Sequence, residues 1–296
     1  MIYSCWNVRG LRGDGKLSMV KELKKKYRLN MPGLIETKRE VMTKFDVVRL
    51  WGCDTVGWDY VESVGASGGL LLMWDDLLFK QSNCYKGDGW LCIEGLLTKN
   101  NLNCAFCLVY GAHTRREKLI MWEELSYIVG LCQVPFCFMG DFNEILRLEE
   151  RKGAVSLPTT AEDFKGWVQD SQLVDLPLTD RQFTWIRGRS CSRIDRILVS
   201  IEWLEEFPDT RLKGGPRGLS DHYPLILEDT RLNAGPRPFR SLDSWFTHEG
   251  FLRMVKDEWQ NLSEAHFTNK LQALMISLRR WHKDNFGGMD DRIKKF

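Results

Sequence analysis

Several features that would place a chain in a simple class are missing. No apolar run reaches the roughly 20 residues that a membrane-spanning helix needs. The first residues lack the basic-then-apolar pattern of a secretory leader, and no other address is readable. Charge of one sign is missing too. With 42 basic against 40 acidic residues the net charge is +2, so the chain as a whole does not announce a nucleic-acid binder and any basic surface must be local. A disulfide framework is not indicated: the nine cysteines are an odd number, and Cys5, Cys92, Cys104 and Cys137 sit inside apolar runs, the pattern of free thiols in a reducing compartment. Cys104-x-x-Cys107 is at best half of a zinc site. Its second half would be Cys132 and Cys137, spaced one residue too widely, and both pairs lie in strand-like sequence. What is present is a hydrophobic fraction of 43% and 12 tryptophans in 296 residues, enough for one large, well-buried domain or a domain with an appendage.

The organising stretch is Phe136-Cys-Phe-Met-Gly-Asp-Phe-Asn-Glu-Ile145. An apolar run stops at Gly140, and alternation along an extended chain puts Asp141 and Asn143 on one side and Phe142 on the other. A carboxylate beside a carboxamide can take a proton from water and hold that water in place. Taken alone, Gly140 to Asn143 read first as an ordinary turn, and the rest of the chain has to shift that reading.

The same ending recurs along the chain. Strands are expected at Ile2–Trp6, ending at Asn7, and at Gly33–Ile35, ending at Glu36. Others are expected at Leu70–Trp74, at Trp90–Leu96 and at Asn103–Tyr110, where Tyr110 is again a polar strand end. The Gly65–Gly69 stretch precedes a strand and no helix, so it reads as a turn and not as a phosphate loop. Helices are expected from Leu17 to Tyr27, from Leu119 to Val129 with a stop at Gly130, and after a capping box at Thr159-x-x-Glu162. Residues 39–64 carry no clear period. Late in the chain Phe183–Trp185 and Ile194–Val199 read as a hairpin whose tip, Arg187 to Arg193, is basic. Thr184 and Asp195 lie in its two strands, and Ser220, Asp221 and His222 precede a last strand at Pro224–Leu227. Strands alternating with helices early and forming hairpins late predict mixed sheets covered by helices. Hard oxygen donors at Asn7, Glu36 and Asp221 suit Mg²⁺. His222 is a structural histidine or, oriented by a carboxylate, a functional one.

The composition changes near residue 230. Residues 230–240, with Asn233-Ala-Gly-Pro-Arg-Pro238, read as a linker, and 241–296 as a helical segment. Phe251, Val255 and Trp259 share one apolar face, and Leu271, Leu274, Leu278 and Trp281 another. A further helix begins at Asp290 and breaks off, which suggests a piece of something longer.

The ordered set Trp6-Asn7-Val-Arg-Gly10, Glu36-Thr-Lys38, Val109-Tyr110, Gly140-Asp-Phe-Asn143, Arg193-Ile-Asp195 and Ser220-Asp-His222-Tyr-Pro224 resembles the endonuclease/exonuclease/phosphatase superfamily over residues 1–229. Within it, Gly65-Ala-Ser-Gly-Gly69, Phe183-Thr-Trp185 and Asp195–Ser200 resemble the apurinic-type endonuclease domain of plant non-LTR (LINE-type) retrotransposon polyproteins. The tail resembles the segment that joins that domain to a reverse transcriptase. The resemblance implies a four-layer α-β-β-α sandwich of two mixed sheets and Mg²⁺-dependent (or Mn²⁺-supported) hydrolysis of DNA phosphodiesters. It implies Glu36, Asn7 and Asp221 at the metal, Asp141 as base, and Asn143 positioning the water. His222 is then held by Asp195 against the phosphate, with Tyr110 beside the leaving oxygen. Thr184 and Ser220 would support the phosphate, and Arg187, Arg189 and Arg193 the DNA.

Implied partners are double-stranded DNA and a reverse transcriptase domain beyond the C-terminus, with no membrane, in an intracellular and ultimately nuclear setting. Gly111-Ala-His113 departs from the family's usual loop. Two other functions stay open: a phosphoesterase of the same fold acting on small phosphate esters, and an inactive nucleic-acid-binding relic.

Overall fold

The computed structural model describes residues 1–65, 67–229, 246, 248–261, 270, 274, 277, 278, 280 and 281. β1 (Ile2–Asn7) leads through α1 (Asp14–Tyr27) to β2 (Met31–Ile35), which lies parallel to β1. A parallel pair needs such a crossover, because the chain must return to the same end of the sheet. α2 (Lys44–Trp51) follows, opened by a capping box between Thr43 and Asp46. Five strands come next: β3 (Val56–Val64) and β4 (Ser67–Asp75) pair in one sheet, and β5 (Phe79–Gly87), β6 (Trp90–Leu97) and β7 (Leu102–Tyr110) form a meander in the other. α3 (Arg115–Cys132) then returns the chain to β8 (Phe136–Asp141), parallel to β7.

α4 (Thr159–Asp170), β9 (Leu173–Asp175), the short ribbon β10 (Trp185–Arg187) and β11 (Ser190–Ser192), and β12 (Asp195–Ser200) come after it. α5 (Ile201–Glu206), β13 (Thr210–Gly214) and β14 (Leu225–Asp229) close the region.

The strands form two six-stranded mixed sheets, ordered β13-β14-β1-β2-β4-β3 and β5-β6-β7-β8-β12-β9. Period-two alternation distributes their side chains. On β7, Cys104, Phe106 and Leu108 belong to the core between the sheets, and Ala105, Cys107 and Val109 to the layer under α3 and α4. The same alternation puts Cys104 and Cys107 on opposite faces, so they cannot share a zinc ion, and all nine cysteines are free thiols. A third apolar layer packs α1 and α2 on the other sheet. The result is the expected α-β-β-α order.

An edge-on aromatic cluster holds the sheets together: Phe106 meets Phe79 at 5.5 Å and Trp203 at 5.3 Å between ring centroids, with Tyr3 at 4.9 Å. Emptying such a site, as in Phe106→Ala, typically costs about 3–5 kcal/mol.

Three local expectations are corrected. Gly130 does not stop α3, which continues to Cys132 and closes on Gln133 in the left-handed conformation. The capping box of that helix is Thr114 with Glu117. Thr159 does not cap α4; Pro158 precedes that helix and no side chain caps it. Phe183–Trp185 and Ile194–Val199 are not the two strands of one hairpin, because the hairpin is the ribbon from Trp185 to Ser192 and β12 pairs with β8 in a six-stranded sheet.

The described residues divide into two compact units, Met1–Asn233 and Ala234–Phe296. In the second, α6 (Phe251–Asn261) packs Phe251, Met254 and Val255 with Leu274, Leu278 and Trp281. The expected linker 230–240 and the helix at Asp290 lie outside the described residues. No helix among the described residues is long and apolar enough to cross a membrane.

Candidate active site

The carboxyl ends of the parallel strands meet at Asn7. Its fully buried side chain donates to Glu36 Oε1, just past β2, and to Asp141 Oδ2, at the end of β8, at 2.9 Å each. Asp195 is the first residue of β12. β12 runs antiparallel to β8 with Asp195 directly opposite Asp141, so both carboxylates reach the same spot. Gly140 makes the approach of β8 to β7 possible, since a Cβ there would lie 2.0 Å from the Val109 carbonyl oxygen. Arg9, Glu36, Lys38 and Asn143 all have φ between 50° and 54°, a left-handed conformation that costs about 1–3 kcal/mol each and survives where surrounding bonds enforce it.

The interior of the site is dry. Asp141, Asp195 and His222 are each no more than 2% exposed. His222 Nδ1 lies 3.0 Å from Asp195 Oδ2 and 3.8 Å from Asp141 Oδ2. Burial opposes a charge on the imidazole, but Asp195 and then Asp141 outweigh it and raise the pKa to about 9. The ring is therefore an imidazolium near neutrality, with Nδ1 donating to Asp195. Burial, and then the Asp195 carboxylate opposite, push the Asp141 pKa upward against the pull of His222 and Asn7. Asn143 bonds through its backbone N–H to Asp141 Oδ1 at 3.0 Å and through its side-chain NH₂ to the Gly111 carbonyl at 2.7 Å. The carboxamide oxygen is the group left to face a water. Gly111-Ala-His113 is thus part of the site, and His113 Nε2 lies 3.3 Å from the Tyr110 hydroxyl.

The rim is wetter and more cationic. Glu36 accepts from Asn7, from Arg9 Nη1 at 2.8 Å and from the Tyr110 hydroxyl at 3.1 Å. Burial alone would raise its pKa, yet these donors and the Arg9 charge hold it below the ordinary value. Arg9 Nε also lies 3.1 Å from Asp221 Oδ1, and Trp185 Nε1 donates to Asp221 Oδ2 at 3.2 Å. Burial and the carboxylates of Glu36 and Asp141 keep Tyr110 protonated by raising its pKa. A cleft of about 450 Å³ brings Glu36, Tyr110, Asp141, Asn143 and His222 together, with Arg9, Arg151, Lys152 and Trp185 also on its walls.

Other residues named from the sequence are placed differently. Asn7 faces the carboxylates with its NH₂, which orients Glu36 and Asp141, and its oxygen accepts the Arg9 N–H at 3.1 Å. Thr184 is wholly buried, and its hydroxyl accepts the N–H groups of Ile194 and Asp195. Ser220 donates to the Asn7 carbonyl at 2.7 Å and accepts from the His222 N–H. Both brace the site from behind. Arg193 is not on the basic tip: it is turned inward onto Glu150 and Asp175 at 2.9–3.0 Å. Arg187 and Arg189 are exposed on the ribbon.

Sequence reasoning missed Arg9, although it lies inside a quoted motif, and missed buried Lys118, which donates to the Asn143 carbonyl at 2.8 Å and pairs with Glu144. A basic residue two positions after Asn7 was the available signal for the first. Nothing local marks the second.

Residues 6–222 match the Endonuclease/Exonuclease/phosphatase family, which is most of the chain. The chain belongs to that family.

No curated protein matches it in sequence. Solved structures share its fold. An AP endonuclease from Archaeoglobus fulgidus superposes with a TM-score of 0.61 at 17% identity, covering 78% of this chain and 99% of the other. The endonuclease domain of TRAS1, a telomere-specific non-LTR retrotransposon, has a TM-score of 0.56 at 13% identity, covering 79% and 99%. A mannosyl-6-phosphatase from Bacteroides thetaiotaomicron has a TM-score of 0.51 at 14% identity, covering 77% and 98%.

Family enzymes generally work with a divalent metal, and two sets of side chains here could hold one. Asp141, Asp195 and His222 bring ligand atoms within 4.8 Å of one another, but the imidazolium and its bond to Asp195 already satisfy that group. Glu36 and Asp221 fit better. Both carboxylates already converge on a cation, Arg9, and buried Asp221 Oδ1 accepts no hydrogen bond. Such oxygens suit Mg²⁺.

Proposed function

We propose that the chain is a metal-dependent endonuclease that hydrolyses DNA phosphodiester bonds. The observation that carries this reading is the meeting of a buried proton acceptor, a carboxamide, an imidazolium and two convergent carboxylates in or beside one cleft. Asp141 takes the proton of the attacking water, and its raised pKa makes it a stronger base than an ordinary aspartate. Asn143 holds that water through its carboxamide oxygen. His222, kept cationic by Asp195, donates to a non-bridging phosphate oxygen as negative charge builds. Tyr110 supplies a neutral hydroxyl near the leaving oxygen. Glu36 and Asp221 would hold Mg²⁺ or Mn²⁺, which polarises the phosphate and offsets its charge.

Arg151 and Lys152 on the wall of the cleft, and exposed Arg187 and Arg189 on the ribbon, favour a polyanion over a small phosphate ester. In the context of a LINE-type element, a nick in nuclear DNA would prime synthesis by a reverse transcriptase joined through residues 241–296. The fold shared with a retrotransposon endonuclease supports that setting.

Supercoiled-plasmid nicking by the full chain, in Mg²⁺ and then in EDTA, tests the proposal. Nicking in Mg²⁺ alone supports it. Phosphate release from small esters without nicking moves the substrate class, and salt-dependent DNA binding without cleavage marks a binding protein.

A further inference from the structure

We propose that Arg9 is a built-in substitute cation: its guanidinium holds the carboxylates of Glu36 and Asp221 together until a divalent metal displaces it, and the released side chain then binds a substrate phosphate. The inference rests on the metal-dependent reading above. Two convergent carboxylates in a largely buried site repel one another, and a cation between them offsets that repulsion. Arg9 supplies it from one planar group, with Nη1 2.8 Å from Glu36 Oε1 and Nε 3.1 Å from Asp221 Oδ1. The fork shape matters, since a lysine ammonium is a point charge.

The backbone beneath Arg9 is pinned. The Arg9 N–H donates to Asn7 Oδ1 at 3.1 Å, the Gly10 N–H to the Glu36 carbonyl at 2.6 Å, and Lys16 Nζ to the Arg9 carbonyl at 2.8 Å. Only the side chain has to move, and at 34% exposure it has room. It borders both the catalytic cleft and a second groove of about 350 Å³ lined by Arg12, Lys16, Lys38 and the exposed carboxylate of Glu40. Once displaced, the guanidinium stands among cations at the mouth of the cleft. A phosphate oxygen is the partner that restores its two lost ion pairs. Metal and phosphate are therefore coupled: each makes the other's binding more favourable, by the same factor.

Lys38 is the matched control. Its side chain is also 34% exposed and carries the same charge, but its ammonium lies 3.6 Å from Glu36 and forms no ion pair with a second carboxylate among the described residues. The experiment is Mn²⁺ binding to the full chain without DNA, followed by electron paramagnetic resonance, for the parent, Arg9→Gln, Arg9→Lys and Lys38→Gln, each checked for folding by circular dichroism. Arg9→Gln should bind Mn²⁺ about tenfold more tightly, the exchange expected for two partly buried ion pairs. Arg9→Lys should fall between it and the parent, and Lys38→Gln should gain at most about threefold.

Equal gains in Arg9→Gln and Lys38→Gln mean that charge alone is felt, and overturn the displacement. If the parent itself binds no Mn²⁺, the metal-dependent reading falls and the inference with it. The second arm is the anisotropy of a fluorescein-labelled duplex in Ca²⁺ and in EDTA. Calcium should strengthen duplex binding more for the parent than for Arg9→Gln, and an equal gain removes Arg9 from phosphate binding.

Discussion

The two parallel strand pairs, β1 with β2 and β7 with β8, are built alike, and each delivers a carboxylate where its second strand ends. The two carboxylates behave oppositely. Glu36 is pulled below the ordinary range by Asn7, Arg9 and Tyr110, against its burial. Asp141 is pushed above it by burial and by Asp195 across the ladder. Topology places both groups; neighbours decide what each can do. A carboxylate that stays ionised is suited to a cation, and one whose proton affinity is raised is suited to taking a proton from water. Asn7, bonded to both, is the shared hinge of the two environments.

The largest expected effects come from removing either member of the pair, and they should differ in kind. Glu36→Ala should lower nicking by about a thousandfold or more and abolish tight Mn²⁺ binding, with duplex affinity measured in EDTA nearly unchanged, because basic side chains supply most of the metal-free affinity. Asp141→Asn, which is isosteric but cannot take the proton, should lower the rate by roughly 10²–10⁴-fold with Mn²⁺ binding retained. Matching losses of metal by both variants would erase the distinction.

Asp195→Asn should sharpen it. That carboxylate raises both neighbours, so its loss lowers the pKa of Asp141 and of His222 together. In the parent, activity should rise as Asp141 deprotonates near its value of about 7 and fall as His222 loses its proton near about 9. In the variant both limbs of the pH–rate profile should move to lower pH, with a maximal rate lower by about 10²-fold. Limbs that stay in place would exclude Asp195 as the source of the asymmetry.

Away from the site, the buried pair of Glu150 with Arg196 tests stability instead of chemistry. Burial opposes ionisation of Glu150, but Arg196 and Arg193 hold its pKa below the usual value. A depressed carboxyl contributes fully above its unfolded pKa and loses that contribution as pH falls through the folded one. Glu150→Gln should cost about 3 kcal/mol near neutrality, and its melting temperature should depend less on pH in the acid range than the parent's. Equal pH dependence would mean that this pair does not drive acid unfolding.

A smaller effect belongs to the ribbon. Arg187→Ser with Arg189→Ser should redistribute nick positions read by primer extension and reduce the salt slope of DNA binding by up to about 0.9 per lost phosphate contact. Low-salt nicking should fall far less than in Glu36→Ala. The smallest change is expected from deleting residues 230–296, since every proposed catalytic residue precedes them and Met1–Asn233 is a compact unit by itself. Loss of nicking by a truncated chain with a native circular dichroism spectrum would contradict that.

Legibility in the sequence followed burial. Strands β1, β2, β4 and β14 of one sheet, and β6, β7, β8 and β12 of the other, are interior strands, and their apolar runs are all visible in the sequence. Within the two six-stranded sheets, the four strands that escaped it, β3, β5, β9 and β13, are the edges. An edge strand such as Phe79-Lys-Gln-Ser-Asn-Cys-Tyr-Lys-Gly87 carries mostly polar residues and has no apolar run to read. The polar strand ends stood out for the complementary reason: a carboxylate directly after a buried run is conspicuous.

Residue order alone determined which side chains end the central strands, and with them the membership of Glu36, Asp141, Asn143, Asp195 and His222 in one ordered set. It could not determine which of them touch, because contacts such as Asn7 with Asp141 or Ser220 with Asn7 join residues more than a hundred positions apart. The tertiary structure alone decided that Arg9 lies between Glu36 and Asp221, that Arg193 turns inward, and that Asp141 faces Asp195. Each of these sets a charge, and the effect of a charge on its neighbours depends on distance and on excluded water, which exist only once the sheets have packed.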